Sequence, residues 1–94
     1  MDKLQQLTDY INRTISDERL TPIHLSLSLA LCHAWMLNQF HHSYCTSRRL
    51  LMKASRIRSK ATYHKAMKEL TALGYIRYAP TYHPKKGSTI SLIL

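Results

Sequence analysis

Residues 58–74, RSKATYHKAMKELTALG, are the stretch around which the rest of the chain arranges itself. At about 100° per residue, Tyr63, Ala66, Met67, Leu70 and Leu73 share one side of a helix, and Ala61, His64, Lys65 and Lys68 share the opposite side. The spacing predicts an amphipathic helix with one face for a core and one for an anion. Ser59 supplies a side-chain oxygen for the N-cap, and Gly74 supplies the left-handed residue that closes the C-terminus.

Immediately upstream, Thr46 or Ser47 caps a shorter helix over SRRLLMKAS. Its pattern points Leu50, Leu51 and Ala54 inward and Arg48, Arg49 and Lys53 outward. Arg56 to Arg58 make the turn into the longer helix, and two short helices joined in this way form a helix-turn-helix arrangement. Downstream, YIRYA and STISLIL alternate as strands do, with PTYHPKKG between them. This predicts a β-hairpin with a long basic loop that Pro80, Pro84 and Gly87 keep irregular, Lys85 and Lys86 lying near its tip.

Further upstream, Leu4, Leu7, Ile11 and Ile15 recur at steps of three and four, which predicts a short amphipathic helix over residues 2–15, with Asp2 favourable near its start. A helix this short must lie on something, either its own domain or a second copy. Thr21-Pro22 then opens a second helix running to about Phe40. Ile23, Leu27, Ala30, Ala34 and Leu37 fill one of its stripes, and Leu25, Leu29, Cys32, Met36 and Phe40 fill another. Such a helix is a central core element or one shared between subunits. His41 to Cys45 reads as a brief strand.

At 94 residues the chain has room for one modest core that buries roughly 60–65% of its unfolded surface. The formal charge of +9 is concentrated in one half. Residues 1–45 carry three basic and four acidic groups, whereas residues 46–94 carry eleven basic and one acidic. A field so localised suits a polyanion, and the helix and hairpin signals around it favour nucleic acid over an acidic membrane surface. No secretory segment opens the sequence, and the apolar run from Ile23 to Leu37 is interrupted and too short to span a bilayer, so the expectation is a cytoplasmic, nucleoid-associated protein with no membrane partner. Cys32 and Cys45 make no disulfide framework and are expected to be reduced.

Helix, short strand, helix, turn, helix and basic hairpin, in that order, resembles the winged helix-turn-helix fold. SRRLLMKASRIRSKATYHKAMKELTALGYIRY, followed by HPKKGS, resembles the reading head of bacterial winged-helix DNA-binding proteins. It is also similar to small helix-turn-helix regulators of Bacteroides-type bacteria, with LNQF before the motif and TYHKAMKELTALGYI within it. One departure is Ser55, where such turns often carry glycine. The resemblance covers residues 21–94 and implies a mainly α fold with a small β-hairpin wing. Residues 1–20 are then an N-terminal helix and connection, a candidate dimerisation arm.

The resemblance further implies a recognition helix in the major groove and a wing on the adjacent backbone. The candidate recognition positions are Ser59, Lys60, Ala61, Thr62, His64, Lys65 and Lys68, and the candidate backbone and wing contacts are Arg48, Arg49, Arg56, Arg58, Lys85 and Lys86. Physical chemistry agrees, because a capped helix start beside a lysine favours phosphate and small side chains such as Ala61 and Thr62 allow approach to base edges.

The reading is therefore a DNA-binding transcriptional regulator, acting as a homodimer through residues 2–40. An accessory factor of plasmid replication or mobile-element excision would use the same head, and a winged-helix protein-interaction module is the rival of another class. His41, His42, Cys45, Cys32 and His33 lack the CxxC or HExxH spacing of a metal site. Tyr75, Tyr78 and Tyr82 suit a hairpin core and rim better than stacking on unpaired bases. With five carboxylates, no Gly-rich phosphate loop and no nucleophile elbow, neither catalysis nor a cofactor is expected.

Overall fold

The computed structural model describes residues 2–79 and 87–94. In chain order these form α1 (Lys3–Ser16), α2 (Pro22–Leu37), β1 (Tyr44–Thr46), α3 (Arg48–Ser55), α4 (Lys60–Ala72), β2 (Ile76–Ala79) and β3 (Ser88–Leu92). The architecture is mainly helical with a three-stranded antiparallel sheet of order β1-β3-β2. Each helix starts where a side-chain oxygen meets a first-turn amide. Asp2 accepts from Leu4, Thr21 from His24, Ser47 from Leu50 and Ser59 from Thr62. No helix among the described residues is long and apolar enough to cross a membrane.

Three helices end in the same reversal. After α2, Phe40 N–H donates to Trp35 O and Gln39 N–H to Met36 O; after α3, Ile57 donates to Met52 and Arg56 to Lys53; after α4, Tyr75 donates to Leu70 and Gly74 to Thr71. This is the Schellman motif, and its left-handed residue is Gln39 (φ 57°), Arg56 (φ 64°) and Gly74 (φ 84°) in turn. The first of these ends α2 at Leu37 rather than at the expected Phe40. It also turns Phe40 back onto Trp35, edge to face at 4.8 Å between ring centroids. The second shows how the turn is made without that glycine: Arg56, the residue after Ser55, takes the left-handed conformation.

The core is built from Leu27, Leu31 and Trp35 of α2, Leu51 of α3, Tyr63 and Leu70 of α4, Ile76 and Ile90 of the sheet, and Tyr10 of α1, all fully buried. On α3 the inward residues are Leu51 and Ser55, with Met52 half-buried, whereas Leu50 and Ala54 are exposed, contrary to the expected face. Ser55 is held there because its hydroxyl donates to Leu51 O and its carbonyl accepts from Ser26 of α2. On α1 the buried residues are Tyr10 and Thr14, and Leu4 and Ile15 of the expected stripe point to solvent.

Long-range polar contacts explain that rotation. Tyr10 Oη donates to Tyr75 O at 3.0 Å, and Arg13 donates to Ile93 O at 2.8 Å. The Arg13 guanidinium lies 4.5 Å from the Tyr75 ring centroid, and Tyr75 Oη donates to Asp17 at 2.6 Å. Helix α1 is thereby fastened to the end of α4 and the end of β3.

Candidate nucleic-acid interface

Helix α4 presents Lys60, Ala61, His64, Lys65, Lys68, Thr71 and Ala72 to solvent and buries Tyr63, Ala66, Met67 and Leu70. These are the two faces that the spacing predicts. Ser59 is exposed at the cap, and Thr62 is half-buried on the flank. Lys65 and Lys68 are therefore exposed along this side, with small exposed residues, Ala61 and Ala72, on the same helix.

The cations of α3 and of the turn are exposed too: Arg48, Arg49, Arg56 and Arg58. Arg56 and Arg58 edge a shallow concavity with Met52, Lys53 and Ile57. Lys53 was read from sequence only as an outward residue, and the concavity gives it a place among the candidate contacts. Arg48 lies close enough to Tyr63 to lower the pKa of its phenol, although burial dominates and pushes that group up to about 12.

Glu69 is the only carboxylate among residues 46–94, and it is engaged. His24 Nε2 lies 3.3 Å from Glu69 Oε1, and His24 Nδ1 accepts the Thr21 N–H at 2.9 Å. With Nδ1 acting as acceptor, the ring proton of the neutral imidazole sits on Nε2 and is donated to Glu69. Among the described residues the Arg19–Asp17 contact is an ion pair, and the His24–Glu69 contact is a hydrogen bond that engages the carboxylate. Consequently none of the described basic side chains from Arg48 to Arg77 is neutralised by a carboxylate.

Two helix starts carry charge of the unfavourable sign. Arg48 and Arg49 occupy the first turn of α3, Lys60 begins α4, and neither first turn holds an acidic residue. Exposed first-turn amides already form the positive end of each helix dipole, so added cations cost stability there unless an anion arrives.

A second groove runs between α4 and the sheet, lined by His64, Met67, Lys68, Thr71, Ala72 and Tyr78. Tyr78 is half-buried, its hydroxyl accepts from Ser88 at 3.2 Å, and Arg77 beside it is exposed. The sequence alone did not mark Arg77, because a single arginine within a strand carries no spacing signal. Lys85, Lys86 and Tyr82 lie outside the described residues. Cys32 is buried and Cys45 exposed, both as free thiols. No protein-family model, curated protein or solved structure matches this chain.

Proposed function

We propose that this chain binds double-stranded DNA as a winged helix-turn-helix protein and acts as a transcriptional regulator at the bacterial nucleoid. In this reading α3 and α4 are the helix-turn-helix pair, α4 enters the major groove, and the β2–β3 hairpin is the wing. The observation that carries it is the set of exposed, unneutralised cations shared by α3, the turn and α4, with Glu69 tied to His24. A basic side chain that serves stability alone is expected to find a carboxylate or to avoid a helix start, and Arg48, Arg49 and Lys60 do neither.

The roles follow from position. Lys65, Ala61 and Lys60 on the outer ridge face base edges, where lysine donates to guanine acceptors and the alanine permits close approach. Ser59, Thr62, His64 and Lys68 border the ridge and contact bases or nearby phosphates. Arg48, Arg49, Arg56 and Arg58 hold phosphates on either side and fix the register. Lys85 and Lys86 add charge to the hairpin loop on the strength of the sequence.

A mobility-shift titration against salt tests the proposal. Log affinity is expected to fall by about 0.9 per neutralised phosphate per log unit of salt, with several phosphates engaged. An affinity indifferent to salt between low and physiological concentration removes the DNA reading and favours a protein-interaction module.

A further inference from the structure

We infer that the hollow between α2 and α3 binds an amphipathic organic anion, a carboxylate on an apolar body, and that this ligand competes with DNA for cations lining both sites. The hollow has a volume of about 360 Å³, at the small end of the range for sites that hold small molecules. Its origin is legible residue by residue. Helix α3 packs along α2, and the side chains that line the gap between them are short: Ala30 and Ala34 on α2 and Ala54 on α3. Longer side chains at these positions would close the gap. Leu37 and Leu50 also line it and remain 69% and 61% exposed, so an apolar body seated there removes two leucines from water.

Charge selects the class of ligand. Lys53 and Arg56 line the same hollow, and none of its described lining residues is acidic. Both cations sit at the C-terminal end of α3, where positive charge suits the helix dipole, so neither needs a carboxylate to be tolerated. One Arg56 N–H donates to Lys53 O at 3.3 Å, which leaves the other guanidinium donors and the Lys53 ammonium for an incoming anion. An apolar hollow with a cationic edge matches a ligand divided in the same way. A neutral apolar molecule leaves the cations unused, and a cationic one is repelled.

Lys53 and Arg56 also line the shallow concavity with Met52, Ile57 and Arg58 that belongs to the proposed DNA surface. This coupling rests on the DNA reading, whereas the binding site does not. A head group that engages both cations withdraws them from phosphate. Ligand and duplex then weaken each other by the same factor, about tenfold, which lies within the ordinary range for coupled sites. With the ligand bound, the salt slope of duplex binding falls by up to about two.

Amide chemical shifts of the whole chain, titrated with sodium decanoate below its micelle concentration, test the site. Decanoate is expected to bind saturably, with shifts centred on Ala34, Cys45 and Ala54. It is expected to bind about tenfold more tightly than decyltrimethylammonium, which has the same chain and the opposite charge. Bound decanoate is expected to slow alkylation of Cys45, an exposed thiol that lines the hollow. Because the chain carries a net charge of +9, two variants separate this site from general attraction. Ala54→Phe fills the hollow from an exposed position and is expected to abolish decanoate binding, and duplex binding by this variant is expected to ignore decanoate. Lys53→Gln combined with Arg56→Gln is expected to bring the two probes within about threefold of each other. Shifts centred elsewhere, equal affinity for the two probes in the parent chain, or binding that survives both variants overturns the inference. A chain that takes decanoate but shifts no duplex leaves the site standing and removes the DNA reading. One that shifts a duplex but takes no decanoate overturns the site, and binding of both without mutual weakening overturns the coupling.

Discussion

His24 and Glu69, 45 residues apart in sequence, join the start of α2 to the middle of α4, with 3.3 Å between Nε2 and Oε1. The same imidazole closes the capping box of α2 by accepting the Thr21 N–H. One side chain therefore caps one helix and fixes the rotation of another, the one that carries Lys65 and Lys68.

His24→Ala is expected to cost about 1–2 kcal/mol, since it removes half of the capping box and a buried hydrogen bond. For a domain of this size that lowers Tm by roughly 4–16 °C. Glu69→Gln, which keeps an acceptor for Nε2–H, is expected to leave Tm nearly unchanged while tightening DNA binding at low salt through the added net charge. Urea midpoints and shift assays check both. Equal losses of stability in the two variants remove the capping argument.

Arg49→Glu and Lys60→Glu are expected to raise stability by about 0.3–1 kcal/mol each, because each exchanges an unfavourable first-turn charge for a favourable one. Both are expected to weaken DNA binding by tenfold or more. Variants that gain stability and bind DNA as before would show that these cations take no part in anion binding.

Sequence preference is expected to concentrate at Lys65 and Thr62. Each lysine contact discriminates by about 1 kcal/mol, the low end for base contacts, because an ammonium is less directional than a bidentate guanidinium. Lys65→Ala and Thr62→Ala assayed against single base changes in a selected site measure this. Uniform weakening on every sequence would assign specificity to DNA shape instead.

The two glycines separate strain from fit. A Cβ on Gly74 meets nothing within 4 Å, so Gly74→Ala pays only for its positive φ, about 1 kcal/mol. A Cβ on Gly87 would sit 2.5 Å from Thr46 O, in the backbone between β1 and α3. Gly87→Ala is expected to cost about 3 kcal/mol and to perturb the start of α3. Similar denaturation midpoints for the two variants would contradict the close approach.

Alkaline pH is expected to destabilise the fold. Burial pushes the Cys32 thiol from 9.0 up to about 11, and burial likewise raises Tyr63 to about 12. The unfolded chain thus releases these protons first. Stability is full below about pH 9 and falls as pH rises toward 11 and 12, with Cys32 contributing about 2–3 kcal/mol. Urea midpoints across that range test it, and a flat profile refutes it. At pH 8 a thiol reagent is expected to modify Cys45 rapidly and Cys32 only on unfolding.

Helix α4 was legible because its signals are local. Ser59, Gly74 and the steps from Tyr63 to Leu70 fix start, end and face within one segment. The faces of α1 and α3 were misjudged where a non-local polar contact outweighs apolar spacing. Tyr10 turns inward to reach Tyr75, and the side of α3 that faces α2 is the one whose Ser55 carbonyl accepts from Ser26, so Ile15 and Leu50 are left outside. The end of α2 and the form of the turn escaped because Gln39 and Arg56 adopt a left-handed conformation that neither residue type announces.

The fastening of α1 has a consequence for biosynthesis. Tyr10 and Arg13 wait on partners 65 and 80 residues downstream, Tyr75 and Ile93. A nascent chain therefore emerges with its first helix lacking the contacts that hold it, and contacts of such span are slow to close. The Arg13 contact can close only after β3 has left the ribosome. A chain cut short before Ile93 is expected to lose the Arg13 anchor and to hold its first helix only through Tyr75 and α2.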